Sequence, residues 1–341
     1  MQNNNNKLRD MKRVLITVLA IAVAFWSCNE DKEKIYTVTF NSNGGSEVVS
    51  QTIGGGEKAI EPQPEPIREG YYFGGWYTDN LALTNKWDFD TQNVTADIML
   101  YAKWGTVKLL ETLTYEHISY GSDKYDRYKF EYDEQNRIVK ISEYFSGGEL
   151  YNTTTFTYAG DDLVQVLYRY DSSDEIYDYT KNGNTIIQKY TYTGGTYISP
   201  FTTTSTIELN SDGLPITRKE ERSGSTIVET YEYQDGNLTK NAITSTSQEY
   251  DYTDVYTYTY YYDNKKGALY HCKTPKWGLI MYLNDFGVEN NITEGGHLFR
   301  PWSVYTYEYD GAEFPAKRTS KNYGQNANYS ESIKEFIYLT K

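Results

Sequence analysis

The stretch YKFEYDEQNRIVKI, residues 128–141, decides the fold. Before Asp133, the aromatic residues Tyr128, Phe130 and Tyr132 alternate with Lys129 and Glu131, and after Asn136 the apolar residues Ile138, Val139 and Ile141 resume. Alternation with a period of two belongs to a strand with one dry face, and a polar quartet between two such runs reads as a hairpin turn. A four-residue loop over 133–136 sets Tyr132 against Arg137, Phe130 against Val139 and Tyr128 against Ile141. Lys129 and Glu131 then fall on the other, mostly polar face.

Related units follow along the chain: TTFTYAGDDLVQVL from Thr154, STIELNSDGLPITR from Ser205, ETYEYQDGNLTKNA from Glu229, YTYYYDNKKGALYH from Tyr258 and YTYEYDGAEFPAKR from Tyr305, with a weaker one near Tyr179. The same loop length over 210–213 gathers Ile207, Leu209, Leu214 and Ile216, and over 310–313 it gathers Tyr307, Tyr309, Phe314 and Ala316. A recurrence of roughly 25 residues with strand alternation points to an array of hairpins and not to a helical solenoid. Asp212-Gly213 and Asp235-Gly236 supply the positive φ of tight turns. Pro215 and Pro315 take the same place in their units, on the polar-face register, where no ladder donor is needed. Thr, Tyr, Val and Gly dominate, and no window repeats every three or four residues, which excludes helix.

Tyrosine occurs 37 times in 341 residues, most densely in YTYTYYYD, residues 256–263. As a strand this places Tyr256, Tyr258, Tyr260 and Tyr262 on one face and Thr257, Thr259 and Tyr261 on the other. Tyrosine suits a half-dry sheet, because its ring packs while its hydroxyl reaches water or a partner. The stripe is therefore expected to serve the fold first.

The chain opens on Lys7, Arg9, Lys12 and Arg13, followed by an apolar run over 14–26 and then Ser27 and Cys28. That run is too short to span a membrane as a helix and reads as a secretion signal over residues 1–27. Ser27-Cys28 resembles a lipoprotein cleavage box, which implies lipidation at Cys28. The charged tether over 28–34, with NEDKEK after the cysteine, resembles the surface-export signals of Bacteroidota lipoproteins. The expected location is the outer membrane, exposed on the cell surface, with a periplasm-facing orientation as the alternative. Removing residues 1–27 takes the net charge from −14 to −17, a surface that repels phosphate backbones and excludes nucleic acid as a partner. Cys272 is then the one thiol without a lipid, so stability rests on packing and not on a disulfide.

Residues 35–104 carry VTFNSNGG, a proline arm at Pro62, Pro64 and Pro66, then GYYFGGWY and LYAKW. This run resembles the Listeria–Bacteroides repeat, the B repeat of internalin-type surface proteins. The resemblance implies a small β-grasp-like module that acts as a surface spacer or interaction unit, with Trp76, Trp87 and Trp104 as core or turn anchors. Residues 106–341 resemble the YD-type hairpin repeats of RHS-like proteins. They resemble more closely an uncharacterised domain of Bacteroidota lipoproteins, whose sheets curl toward an incomplete, porin-like barrel. The expected fold is all-β dominated: the small module followed by a curled antiparallel β-meander of hairpin repeats, an incomplete barrel-like sheet.

An insert at 268–303 interrupts the repeats and holds His271, Cys272, Trp277, His297 and Trp302. His271 and Cys272 are neighbours, so on a strand they point to opposite faces and make no nucleophile–base pair. Three scattered ligands at most, without a motif, do not make a zinc site. No nucleophile elbow, phosphate loop or zinc-protease motif occurs, so no cofactor and no enzyme activity is expected. The apolar LIMYLNDF suits a plug or cap over the end of the sheet. The expected function is binding or adhesion to a glycan or protein, through Trp277, His297, Trp302, Tyr256, Tyr258 and Tyr260. A structural or assembly component of an outer-membrane complex is the alternative, a glycoside hydrolase the third reading, and oligomeric state is left open.

Overall fold

The computed structural model describes residues 34–117, 125–170, 173–195, 198–247, 249–297, 303–323 and 329–340. The expected signal segment, Cys28 and all of the tether but Lys34 lie outside them. Two compact units divide between Gly105 and Thr106.

The first unit is a four-stranded sheet of β1 (Ile35–Asn41), β2 (Gln51–Gly54), β3 (Tyr71–Tyr77) and β4 (Ile98–Thr106), ordered β2-β1-β4-β3. β1 and β4 run parallel, and their alternation buries Val38, Phe40, Leu100 and Ala102 together. Trp76 completes this core, edge-on to Phe40 at 4.8 Å and to Phe73 at 5.3 Å. Trp87 is buried beside it, while the half-buried Trp104 donates its indole N–H to the Ser42 carbonyl at 2.8 Å.

Among the described residues the second unit has sixteen strands. They are β5 (Lys108–His117), β6 (Tyr125–Tyr132), β7 (Ile138–Tyr144), β8 (Leu150–Ala159), β9 (Asp162–Arg169), β10 (Asp174–Asn182), β11 (Thr185–Tyr192) and β12 (Phe201–Leu209), followed by β13 (Pro215–Arg222), β14 (Ser225–Gln234), β15 (Asn237–Ser247), β16 (Tyr252–Lys266), β17 (Asn290–His297), β18 (Ser303–Tyr309), β19 (Pro315–Tyr323) and β20 (Tyr329–Thr340). Each pairs antiparallel with the next, and β20 returns to β5, with Phe336 opposite Leu113 and Thr340 opposite Lys108. The sheet is a closed barrel, which overturns the expected incomplete, curled sheet. A twisted meander of this many strands coils until its edges meet, and closure then satisfies two rows of backbone donors and acceptors that an open sheet leaves unpaired.

Three of the turns share one hydrogen-bonding pattern. Asp133, Asn210 and Asp310 each accept, at Oδ1, the N–H groups two and four residues on, at 2.8–3.0 Å. The third residue after each, Asn136, Gly213 or Glu313, takes a positive φ of 64°, 74° or 68°. The expected register fails beyond the turn, because Tyr132 pairs with Ile138, Phe130 with Ile141 and Tyr128 with Glu143. Likewise Ile207 faces Arg218 and Tyr307 faces Arg318. The cause is a β-bulge in each hairpin, which inserts one unpaired residue: Val139, Ile216 and Ala316 here, with Glu111, Val164, Thr239 and Thr293 at matching places. Pro215 and Pro315 pair with Leu209 and Tyr309 at these bulges and are buried, not set on the polar face.

A bulge disrupts the ladder beside it, and the backbone groups there need other partners. Tyrosine hydroxyls supply them. Tyr132 donates to the Leu110 carbonyl, Tyr158 to Ile138, Tyr233 to Pro215, Tyr262 to Leu238 and Tyr307 to Ile292, all at 2.8 Å, and Tyr338 to Pro315 at 2.9 Å. Each acceptor directly precedes a bulged residue, so one girdle of tyrosines ties neighbouring hairpins at one end of the barrel. Tyr132→Phe and Tyr233→Phe, on opposite sides, are each expected to cost about 1 kcal/mol in urea unfolding, and together to add within roughly 0.5 kcal/mol.

The segment expected as an insert at 268–303 divides. Residues 290–297 and 303 onward are barrel strands, and the part that leaves the sheet is 267–289. It turns inward as a plug with one helix, α1 (Lys276–Leu283), and a 3-10 turn (Asn284–Phe286). Leu269, Trp277, Leu279, Ile280 and Leu283 are buried against Phe130, Ile138, Phe156, Leu163 and Ile186 of the wall. Thr274 Oγ1 accepts the buried Ile138 N–H at 2.9 Å and shares a hydrogen bond with the Tyr158 hydroxyl. At the base, a Cβ on Gly267 would lie 2.5 Å from the Gly287 carbonyl oxygen, so glycine permits the two ends of the plug to close on each other.

Candidate functional site

Because strands alternate, the barrel has two chemically distinct faces. The outer face carries threonines and cross-strand charge pairs such as Glu131 with Lys140, Glu232 with Lys240 and Glu308 with Lys317. The inner face carries the tyrosines, and on the side of the plug away from the turns they wall two clefts against opposite sides of the lumen.

The first cleft, about 360 Å³, lies between Tyr177, Tyr231 and Tyr260 of the wall and Ile280, Met281, Tyr282 and Asn284 of the plug. Arg218 organises it, bonding Glu229 at 2.7 Å, Glu220 at 2.9 Å and Gln188 at 3.1 Å. Arg222 adds a 2.5 Å contact to Glu220, and the Tyr231 hydroxyl donates to Glu229. Burial raises the Glu220 carboxyl, but the two guanidinium groups outweigh it and leave its pKa below the ordinary value. Beneath, Gln188 donates to the Tyr282 hydroxyl at 3.2 Å, and the hydroxyls of Tyr179 and Tyr282 bond each other. Every donor nitrogen of Arg218 is thus taken by the protein.

The second cleft, about 400 Å³, is lined by Tyr115, Tyr128, Tyr305, Arg318, Ser320, Asn322, Ser332, Lys334 and the plug residue Asp285. Arg318 bonds the Asp285 carbonyl at 2.9 Å and its carboxylate at 3.1 Å, and Lys334 reaches the same carboxylate at 3.0 Å. The guanidinium lies 4.6 Å over the Tyr305 ring. Burial pushes the Asp285 carboxyl up, but Arg318 and Lys334 overcome this and hold it down at about 2. Burial lowers the Lys334 ammonium, Arg318 adds to that, and Asp285 offsets part of it. Arg318 and Ser320 are each 3 % exposed, and Arg318 Nε and Ser320 Oγ find no partner among the described residues.

The residues singled out from sequence separate. Tyr260 lines the first cleft beside the plug. Tyr258 and Tyr256 share its inward face, paired with Asn241 and Ile243, and Tyr256 is 40 % exposed. Trp277 is 4 % exposed and packs edge-on to Tyr179 at 4.8 Å, so its ring serves the plug core beneath the cleft. His297 ends β17 with its backbone opposite Tyr258, and its side chain, like Trp302 and Cys28, lies outside the described residues. Cys272 is buried, which pushes its thiol pKa up. His271 Nδ1 accepts the Lys108 N–H at 2.9 Å, and burial draws its pKa down to about 4, so the ring is neutral at pH 7. Among the described residues no group of three or more His, Cys, Asp or Glu side chains is placed to hold a metal ion.

Sequence reading passed over Arg218, Arg318, Asp285 and Lys334. A signal for two of them was present, since LPITR and FPAKR place an arginine three residues after Pro215 and Pro315, on the face of Leu214 and Phe314. A charge recurring on a dry face calls for a buried partner.

Comparison with solved structures finds a porin-like protein from Bacteroides uniformis at 14 % identity and a TM-score of 0.40, covering 68 % of this chain and 96 % of that one. A second, from Bacteroides vulgatus, stands at 13 % and 0.36, covering 68 % and 99 %. Among curated proteins, a provisionally named membrane protein of Evansella cellulosilytica is 44 % identical over 95 residues, and internalin H of Listeria monocytogenes is 37 % identical over 94. These alignments take in 28 % and 26 % of this chain but only 13 % and 16 % of those proteins. Residues 36–103 match the family model of the Listeria-Bacteroides repeat domain, and the first unit of this chain is therefore such a repeat.

Proposed function

We propose that this chain is a non-enzymatic protein tethered at the outer membrane through Cys28, with its barrel standing in water and its lumen binding a glycan. The observation that carries the reading is the pair of lumen clefts, each with tyrosine walls, a floor from the plug and a few fixed polar groups. Concave sites of about 300–1,000 Å³ that combine aromatic walls with a few convergent polar groups suit small polar ligands. Tyrosine offers a sugar both a ring face and a hydroxyl.

The outer face argues for water around the barrel. A membrane-spanning barrel turns an apolar band outward and polar groups inward, and a lysine or arginine on its lipid face costs about 2–4 kcal/mol at the midplane. Here the order is reversed, with Lys140, Lys219, Lys240 and Lys317 on the outer face and the tyrosines inside. Attachment then falls to the lipid, and the internalin-type repeat suits a surface setting. Arg222 with Arg218 holds Glu220, and Arg318 with Lys334 holds Asp285, as carboxylates of lowered pKa, opposite to the raised pKa a glycosidase acid needs.

The test is a glycan array followed by calorimetric titration of the protein without its signal segment. Saturable binding is expected, weakened at least about 10-fold, or roughly 1.4 kcal/mol, by Tyr260→Ala or Tyr231→Ala, each titrated well below its own thermal midpoint. No retention of any glycan would remove the reading.

A further inference from the structure

The two clefts differ in what the protein has left unused. In the first, Arg218 faces two carboxylates and a glutamine oxygen, so its charge is matched and each of its three nitrogens has a partner. In the second, two cations share the single carboxylate of Asp285, in a chain whose net charge is −14. Glu143, on the adjacent wall, is taken up by the Tyr128 hydroxyl at 2.9 Å and the Asn152 amide at 2.6 Å.

Arg318 turns Nη1 and Nη2 to Asp285 and keeps an Nε–H without an acceptor among the described residues. Ser320 lies two residues along the same inward face, its buried Oγ equally without a partner, directly opposite Ser332 on β20. A buried donor left without an acceptor carries an unrecovered desolvation cost, which a ligand oxygen at that point would offset. Hydrogen bonds from a guanidinium to a carboxylate are about twice as strong as neutral ones. Hydroxyls on both strands and the rings of Tyr305 and Tyr115 extend the site beyond a point charge.

We infer that the second cleft is a subsite for an acidic sugar, a uronic or sialic acid residue. Its carboxylate sits against Arg318, Ser320 and Lys334, and its ring hydroxyls face Ser332 and Asn322. This rests on the glycan reading and adds the substrate class. The anion selectivity belongs to this wall alone, because the opposite cleft has no unmatched cation.

The experiment compares oligogalacturonate with a neutral hexose chain of the same length, by calorimetry on the whole soluble chain, with acetate and inorganic phosphate as controls. The acidic chain is expected to bind at least about 10-fold tighter. Ser320→Ala and Lys334→Met should each remove most of that preference by weakening binding of the acidic chain. Ser320→Ala deletes one oxygen and leaves the ion cluster intact, so it tests the idea even where Lys334→Met folds poorly. Equal binding of acidic and neutral chains overturns the subsite and leaves the glycan reading standing. Acetate or phosphate binding as tightly as the uronate overturns the sugar assignment, and no binding of either saccharide chain removes the glycan reading itself.

Discussion

Trp277→Ala is expected to lower the unfolding free energy by about 3–5 kcal/mol, as truncation of a fully packed aromatic does. The ring is 4 % exposed and meets Tyr179 edge-on at 4.8 Å. Tyr179 in turn bonds Tyr282, the plug residue that floors the first cleft. The cavity would therefore open between wall and plug, where closed strands on all sides leave little room to collapse. Urea unfolding followed by tyrosine fluorescence and near-ultraviolet dichroism checks it. A loss under about 1 kcal/mol would mean that the plug unfolds apart from the barrel and contributes little to its core.

Asp285→Ala is expected to cost about 2 kcal/mol and to reshape the acid limb of stability. Removing one partner of a buried ion pair costs about 3–5 kcal/mol because it strands the other charge. Here it strands two, Arg318 and Lys334, but the Asp285 side chain is 53 % exposed to the lumen, and water there reduces the figure. The carboxyl pKa is lowered in the fold to about 2 from 3.8. Its contribution is complete above about pH 4 and is lost as pH falls from there toward 2. After the exposure is allowed for, that window carries about 1 kcal/mol. Denaturation midpoints between pH 2 and 6 should show this limb flattened in Asp285→Asn. An unchanged acid slope would place the proton uptake elsewhere.

Much of the barrel was legible because its signals are local. Alternation in Tyr128, Phe130 and Tyr132, and the aspartate or asparagine heading the turns at 133, 210 and 310, depend on residues a few positions apart. The bulges were not legible, since Val139 and Ile216 look like ordinary strand residues, and only pairing across the hairpin shows which one is left over. Closure was out of reach for the same reason. β5 and β20 alternate like every other strand, and nothing in either marks the other, more than 200 residues away, as its neighbour.

The candidate site divides along the same line. That Tyr260 meets the plug followed from the stripe and the long connection after it. The ion clusters did not, because Arg318 and Asp285 lie 33 residues apart and Lys334 and Asp285 lie 49 apart, with no spacing rule joining them.

By itself the sequence determined strands, turns, the polar and tyrosine faces, and a first unit of internalin-type repeat. Each rests on short-range sterics, backbone hydrogen bonding or a local motif. The tertiary structure alone decided that the sheet closes, that the tyrosine face is an interior, and that the plug brings one carboxylate between two cations. Those outcomes depend on accumulated twist and on the need of buried charges and bulged carbonyls for partners, which is settled only when distant strands meet.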